Sequence, residues 1–153
     1  MPKYYSPQGN PEVWDDDKVP AGYVTEEVWN KQHPYVDPRT LEELKEDKHM
    51  ELKGIRDSKE VEPITVDAKT FDFDQKSSER INFAITALEL SGESITWTLA
   101  DNTNVKVTAD DLKAVVAAVA VRSNELHNTY RSLMGQLSNC GSKEQVNAIK
   151  WPE

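Results

Sequence analysis

Apolar and polar residues alternate most regularly in the second half of the chain, where the pattern predicts an α+β fold. Ile64 and Val66, followed by Phe71 and Phe73, alternate with polar residues on either side of the short segment 67–69. A period of two over such short runs is typical of β-strands, and the break between them predicts a small hairpin.

The spacing of apolar residues changes after Ser78 and predicts a helix that runs to about residue 90 and ends at Gly92. Apolar residues occupy more than one face of this helix, which predicts that it lies at the centre of the core. These residues are Ile81, Phe83, Ala84, Ala87, Leu88 and Leu90.

A second hairpin is predicted over residues 94–107, with its turn at Asp101 and Asn102. Apolar residues alternate along both flanking strands, and Trp97 follows this alternation, so we assign it to the core. The residues expected on the core side are Ile95, Trp97, Leu99, Val105 and Val107.

The longest predicted element is a helix that starts at Ala109, where Thr108 and Asp111 have the spacing of a capping box. It is expected to contain about 28 residues and to be on the order of 42 Å long, at 1.5 Å per residue. The stripe with seven-residue spacing, from Leu112 to Leu133, is expected to face the core or a coiled-coil seam with a second copy. Its apolar residues follow alternating steps of four and three that are interrupted at Ser123: Leu112, Val116, Val119, Leu126, Tyr130, Leu133 and Leu137.

The chain is predicted to close on an αα-hairpin. Residues 139–141 end the long helix, and Ser142 with Gln145 is spaced to cap a last short helix. Three apolar residues of this segment are then placed to fold back onto the long helix: Val146, Ile149 and Trp151.

Residues 1–37 are predicted to form an extended N-terminal arm, because they combine few apolar residues with many turn signals. A β-ribbon is expected around segment 6–10, whose glycine and asparagine suit a tight turn. Thr25 is expected to cap a short helix over 26–31, which Pro34 terminates. Because an isolated ribbon is only marginally stable, such an arm either packs on the main domain or binds a partner.

Residues 38–62 are predicted to be a connector helix and linker that lead into the main domain, residues 63–153. The helix starts either at Pro38, in the first helical position, or at a capping box that begins at Thr40. It is expected to end near Ile55, and its apolar stripe is interrupted by charge, which indicates a half-exposed element.

The arm contains five aromatic residues with little apolar company in the sequence, and we assign them to partner binding. Tryptophan and tyrosine in such surroundings often anchor protein interfaces, since they bury a large area and lose little entropy. The five residues are Tyr4, Tyr5, Trp14, Tyr23 and Trp29.

The net charge of −9 is spread evenly, with −5 on residues 1–60 and −4 on residues 61–153. No basic stripe is available to neutralise phosphates, so no binding to nucleic acid is expected. No apolar run reaches the length of about 18 residues typical of a membrane span, so no membrane association is expected. Cys140 is the only cysteine, which excludes a disulfide within the chain.

No catalytic residue, metal ligand or cofactor is predicted, so we expect a non-enzymatic protein. The best pair of nucleophile and base is Cys140 with His127, but along one helix they would lie beyond hydrogen-bond reach. His33 and His49 have no second ligand at a familiar spacing. Segment 101–104 begins like a calcium loop but lacks the glycine that such loops need at their sixth position.

Four short segments resemble, in this order, a family of phage domains of unknown function whose members are usually encoded beside tail-fibre genes. The resemblance covers about residues 47–151, and the start of the chain is also similar to the N-termini of small tail-fibre assembly and tail accessory proteins. The four segments are Phe-Asp-Phe-Asp-Gln-Lys-Ser at 71–77, Ile-Thr-Trp at 95–97, Ala-Asp-Asn at 100–102 and Ile-Lys-Trp at 149–151.

This resemblance implies a bacteriophage tail-fibre assembly factor, a chaperone that acts by stoichiometric protein binding. The alternative it implies is a permanent virion structural protein of the tail, such as a fibre connector or a baseplate-attached subunit. The expected partner is the phage tail fibre or a neighbouring tail protein. The expected location is the host cytoplasm during assembly, or the virion tail for the alternative. The family implies no catalytic residues.

Overall fold

The computed structural model describes residues 1–153 and confirms the predicted α+β fold. It contains five helices and three small antiparallel sheets. The chain divides into two compact units, Met1–Arg39 and Thr40–Glu153, and each has its own secondary structure.

The first unit is built on a three-stranded antiparallel sheet, in which β1 (Lys3–Tyr5) lies between β2 (Pro11–Val13) and β3 (Val24–Thr25). The turn between β1 and β2 contains a buried serine, Ser6, whose hydroxyl accepts a hydrogen bond from the Asn10 N–H at 3.0 Å. The predicted ribbon is therefore confirmed, and β3 adds a third strand that is too short to be recognised from apolar alternation.

The short helix of the first unit, α1 (Glu26–Gln32), follows β3 directly. Thr25 caps it as predicted, because the Thr25 hydroxyl accepts a hydrogen bond from the Val28 N–H at 3.3 Å. Residues 1–39 thus form a compact unit in place of the predicted extended arm.

The second unit combines four helices with two hairpins. In chain order its elements are α2 (Leu41–Glu60), β4 (Ile64–Val66), β5 (Lys69–Phe71), α3 (Gln75–Ser91), β6 (Ile95–Thr98), β7 (Asn104–Val107), α4 (Ala109–Ser138) and α5 (Lys143–Ala148).

The capping box at Thr40, and not the alternative start at Pro38, begins α2. The Glu43 N–H donates to the Thr40 hydroxyl at 3.1 Å, and the Thr40 N–H donates to the Glu43 carboxylate at 2.9 Å. The helix continues to Glu60, beyond the predicted end at Ile55. Gly54 lies in its interior and does not interrupt it.

The assignment of residues 38–62 to a connector differs from the structure. Leu44 and Leu52 of α2 are buried, and α2 packs against both α4 and α5. The charged residues that interrupt the stripe in the sequence do not prevent this packing, since Lys48 pairs with Glu51 at 2.8 Å while its side chain stays largely covered.

The first predicted hairpin is present, with Ile64 of β4 opposite Phe71 of β5. Its two-residue loop consists of Asp67 and Ala68, which both adopt positive φ, at 49° and 62°. This is the backbone geometry of a type I′ turn, in which an alanine is strained because it lacks the conformational freedom of glycine.

The second predicted hairpin places Trp97 of β6 opposite Val105 of β7. Trp97 is buried, which confirms its assignment to the core. The Ala100 N–H donates to the Thr70 carbonyl at 2.9 Å and so joins the two hairpins.

Helix α3 begins three residues before the predicted start, because Asp74 caps it by accepting a hydrogen bond from the Ser77 N–H at 2.8 Å. It ends as predicted at Gly92, which adopts the left-handed conformation at φ 71°. Glycine adopts this conformation without a steric penalty and is therefore common at the ends of helices.

Only one face of α3 is buried, so the prediction that this helix lies at the centre of the core is wrong. Ile81 and Leu88 are covered, whereas Phe83 is 78 % exposed and Leu90 is 87 % exposed. The buried face packs on the first half of α4, and an ion pair between Glu89 and Lys113 joins the two helices at their surface.

The second unit has two apolar clusters that α4 connects. The hairpin cluster consists of Phe71, Ile81, Leu88, Trp97, Leu99, Val107, Leu112 and Val115. The helix cluster consists of Leu44, Leu52, Leu133, Leu137, Val146 and Ile149. The second cluster confirms that the end of the chain folds back towards the long helix.

The predicted stripe of α4 is therefore buried only at its two ends. Leu112 and Leu133 belong to the two clusters, but Val119 and Leu126 between them are half-buried. The stripe is interrupted at Ser123, which lies in the region between the clusters and makes polar contacts there.

Two helix caps are expected to make the stability of the protein sensitive to acid. Hydrogen bonds from Ser77 lower the pKa of Asp74 below its ordinary value of 3.8, and hydrogen bonds from Thr108 lower the pKa of Asp111 in the same way. At low pH the unfolded chain therefore binds more protons at these two carboxyl groups than the folded protein does. The stabilisation from the ionised carboxylates is fully present well above the ordinary pKa of 3.8, and it is lost as the pH falls through the lower folded-state pKa values.

The double substitution Asp74→Asn with Asp111→Asn is therefore expected to reduce the loss of stability between about pH 6 and about pH 2. Thermal unfolding at a series of pH values measures this loss, and Glu125→Gln, on the exposed middle of α4, is the matched control. An acid response identical to that of the unchanged protein would contradict the assignment.

Candidate functional site

Three aromatic rings form a continuous stack in the first unit. The rings of Tyr5 and Trp29 are parallel within 5°, with centroids 5.3 Å apart. The His33 ring lies on Trp29 with a centroid distance of 3.7 Å. Because Tyr5 belongs to the central strand and Trp29 to α1, the stack holds the helix against the sheet.

A second aromatic pair lies in the same unit. The Trp14 and Tyr23 rings meet edge to face, with centroids 6.2 Å apart and an interplanar angle of 82°. The Tyr23 hydroxyl donates to the Glu12 carboxylate at 3.0 Å, and partial burial together with this hydrogen bond raises the pKa of Tyr23. The Trp14 Nε1–H is buried without an acceptor in the chain.

Tyr4 is the fifth aromatic residue that the sequence assigned to partner binding, and a polar contact holds it in place. Its hydroxyl donates to the Asp16 carboxylate at 2.6 Å, and this hydrogen bond raises the pKa of Tyr4. On the neighbouring residue, the Lys3 ammonium group lies 3.3 Å from the Glu26 carboxylate and 5.7 Å from the Tyr5 ring centroid.

The five aromatic residues assigned to partner binding are thus all brought together in the first unit, and all are half-buried. They pack on one another and on neighbouring polar groups. Each still presents part of its side chain to solvent. We name Tyr4, Tyr5, Trp14, Tyr23 and Trp29 the aromatic group.

Two neighbouring, highly exposed apolar side chains of the first unit lie outside this group. Tyr35 is 86 % exposed and Val36 is 75 % exposed, and the pair follows Pro34 after the end of α1. Sequence reasoning missed them, although an aromatic and a β-branched residue close to two prolines is a recognisable signal for an extended contact segment.

A polar junction joins α2 to the middle of α4 in the second unit. The Arg122 guanidinium group donates to the carbonyl oxygens of Glu60 at 2.8 Å, Glu62 at 2.9 Å and Pro63 at 3.2 Å. Glu60 is the last residue of α2 and the other two residues follow it, so Arg122 acts as a C-terminal cap from a distant part of the chain.

The same junction contains a serine, a histidine and a glutamate. Ser123 Oγ donates to Glu60 Oε1 at 2.7 Å, and His127 Nε2 lies 2.8 Å from the same oxygen. A nucleophilic serine needs an imidazole that accepts its proton, but here the carboxylate lies between the two groups. The arrangement therefore supports a structural contact between α2 and α4.

Cys140 and His127, the pair weighed as nucleophile and base, contact different groups. The Cys140 thiol donates to the Gln136 carbonyl at 3.3 Å, whereas His127 contacts Glu60 at 2.8 Å. Cys140 lines an open cleft of about 570 Å³ together with residues of α5.

No group of three or more His, Cys, Asp or Glu side chains is arranged to hold a metal ion. His33 is committed to the aromatic stack, and His49 lies 3.8 Å from the Glu46 carboxylate on the surface of α2. None of the five helices is both long and apolar enough to span a membrane.

Comparison with known protein families places the second unit in one of them. Residues 43–150 match the family described as "Domain of unknown function (DUF4376)", which is more than two thirds of the chain. No curated protein and no solved structure matches the chain. The matched range begins in the first turn of α2 and ends beyond α5, so it includes both apolar clusters and the polar junction. The chain therefore belongs to the DUF4376 family.

Proposed function

We propose that this protein is a non-catalytic bacteriophage tail-fibre assembly factor that binds the fibre stoichiometrically in the host cytoplasm. The resemblance of several sequence segments to proteins encoded beside tail-fibre genes motivates the choice of partner. The observation that carries the binding role is the aromatic group of the first unit.

The aromatic group has the physical properties of an interface anchor. Stacking between Tyr5 and Trp29 at 5.3 Å and edge contact between Trp14 and Tyr23 at 6.2 Å hold the rings in place before any partner binds. Binding then costs little side-chain entropy, which favours affinity. Tyrosine and tryptophan are also the residues that most often dominate binding energy at protein interfaces.

The negative charge of this protein favours a protein partner whose surface is basic or neutral. Acidic residues follow β2 in the run Asp15–Asp17, and the protein as a whole carries a net charge of −9. Such a charge keeps a binding protein soluble and speeds its association with a surface of opposite sign.

Removal of residues 1–39 is expected to abolish co-purification with the tail fibre while the remaining unit stays folded. The measurement is affinity co-purification after co-expression with the fibre, together with thermal unfolding of residues 40–153. The full chain with Tyr35→Ser is the matched control, because Tyr35 is aromatic and exposed but lies outside the aromatic group. We expect this control to retain binding.

Three outcomes separate the alternatives. Retention of fibre binding by residues 40–153 would remove the aromatic group from the proposal, and failure of this unit to fold would contradict its independence. Detection of the protein at a fixed copy number in purified virions would favour a permanent tail component over an assembly factor. Normal assembly and infection without the protein would contradict both roles.

A further inference from the structure

Two adjoining clefts follow the second half of α4, on the side where the end of the chain folds back. The first has a volume of about 570 Å³ and lies between α4 and α5. The second has a volume of about 480 Å³ and lies between α4 and the residues that follow α5. Gln136 and Lys150 line both clefts, so the two form one groove. We call it the α4 groove.

The α4 groove is elongated. Along α4 and its C-terminal cap, its lining residues extend from Asn128 to Asn139, which is on the order of 16 Å at 1.5 Å per residue. An extended peptide of about five residues covers this length at about 3.3 Å per residue. A small ion would occupy only a fraction of the groove, so its shape favours an extended chain.

No acidic side chain lines the α4 groove, although the chain contains 27 Asp and Glu residues. Two other clefts of the second unit do contain acidic residues, such as Glu46 in one and Asp110 in the other. Lys150 is the only charged residue of the groove, so its positive charge has no counter-ion there. Charge complementarity therefore favours a ligand with an anionic group.

A glutamine of α5 adds hydrogen-bond donors to the first cleft, which Lys150 also lines. Gln145 Oε1 accepts a hydrogen bond from the Gly141 N–H at 2.7 Å, which leaves the NH₂ group of the same amide as a donor. Gln136 and Asn139 bring two further side-chain amides to this cleft. An ammonium group and amide N–H groups are the donors that a carboxylate accepts from.

We propose that the α4 groove binds an extended peptide segment of a partner protein, with one Asp or Glu carboxylate of that segment held by Lys150 and Gln145. Because Lys150 lines both clefts, the carboxylate lies in the middle of the segment and the flanking residues occupy the clefts. The flanking residues are neutral, since the net charge of −9 disfavours a segment with several carboxylates. Apolar residues of the groove contact them: Leu133, Ala148, Ile149 and Pro152.

This site lies on the second unit and is independent of the aromatic group. It goes beyond the proposed binding of a tail fibre, because its ligand is defined by the chemistry of the groove alone. The experiments below use the full chain and synthetic peptides, so their outcome does not depend on the fibre.

Two capped peptides test the selection of a carboxylate. The probe is acetyl-Ser-Ala-Leu-Glu-Ala-Ser-amide, and the matched peptide has glutamine in place of the central glutamate. Titrations followed by the amide NMR spectrum are expected to give a dissociation constant on the order of 0.1–1 mM for the glutamate peptide. The glutamine peptide is expected to bind at least about threefold more weakly, because it lacks the charge-assisted contact.

Cys140 provides a second measurement of the same binding. It is the only cysteine of the chain and lines the α4 groove. Its alkylation by iodoacetamide is therefore expected to slow when the glutamate peptide is present at a concentration well above the dissociation constant.

Two substitutions remove the proposed contacts from the groove. Lys150→Met removes the charge, and Gln145→Glu keeps an acceptor for the Gly141 N–H but replaces the donor with a negative group. Each is expected to weaken binding of the glutamate peptide at least about threefold, and Lys150→Met is expected to abolish the preference for glutamate over glutamine. Lys106→Met is the matched control, because it removes the same charge from an exposed position on β7, outside the groove. Thermal unfolding should show that all three variants remain folded.

Three results would overturn the proposal. Equal affinity for the two peptides, or no binding of either, would show that the groove does not select a carboxylate in a peptide. Binding of the glutamate peptide that Lys150→Met leaves unchanged would locate the carboxylate elsewhere. Inorganic phosphate that shifts the NMR signals of the groove residues when the glutamate peptide does not would identify a site for a small anion instead.

Discussion

Replacement of Leu112 by alanine is expected to lower the free energy of unfolding by about 2–5 kcal/mol. Leu112 is fully buried near the start of α4, where α3 and both hairpins of the second unit pack around it. The shortened side chain would leave a cavity, because close-packed surroundings relax only partly around a deleted group.

The matched comparison is Leu126→Ala on the same helix. Leu126 repeats the spacing of Leu112 in the sequence but is only half-buried between the two clusters. Its substitution is expected to cost less than about 2 kcal/mol, since water already covers part of the side chain. Urea unfolding followed by far-ultraviolet circular dichroism measures both values, and equal losses would contradict the division of α4 between two clusters.

Arg122→Ala is expected to lower the free energy of unfolding by about 1.5–3 kcal/mol. The substitution removes the donors for the carbonyl oxygens of Glu60, Glu62 and Pro63, and it leaves Ser123 and His127 as the polar contacts between α4 and the end of α2. The end of α2 is then expected to fray, because the carbonyl of its last residue, Glu60, loses the Arg122 donor.

Two variants separate this capping role from a general effect of charge. Arg122→Lys keeps the charge but cannot reach three carbonyls with one compact ammonium group, so it is expected to restore less than half of the loss. Arg131→Ala is the control, because Arg131 is exposed on α4 and donates to Asn128 of its own helix. Hydrogen exchange of the last turn of α2 is expected to accelerate in Arg122→Ala and to stay unchanged in the control.

Several helix ends that are marked by local signals could be predicted from the sequence. Thr25, Thr40, Thr108 and Ser142 each cap the helix that follows, and Gly92 ends α3. Each of these residues bonds with a partner no more than four positions away, so the chain itself brings the two groups together.

The candidate site could be predicted only as a set of residues. The sequence identified the aromatic residues of the first unit, because their types are unusual in such polar surroundings. Their half-burial depends on Tyr5 stacking on Trp29, which lies 24 positions away, and on Trp14 meeting Tyr23. Composition contains no information about such pairing, so the sequence alone could not predict that these residues pack on one another.

By itself the sequence determined the type and order of the elements. The spacing of apolar residues and the capping hydrogen bonds that define these elements act within one helical turn or one strand. Only the tertiary structure decided which face of each element is covered. The apolar residues of α3 look equivalent in the sequence, but α4 covers Ile81 and Leu88 and leaves Phe83 and Leu90 exposed. Helix α4 likewise joins two clusters with a polar junction between them, and the sequence marks this division only by the break in its apolar stripe at Ser123. Burial depends on contacts between segments far apart in the chain, and one-dimensional periodicity cannot specify those contacts.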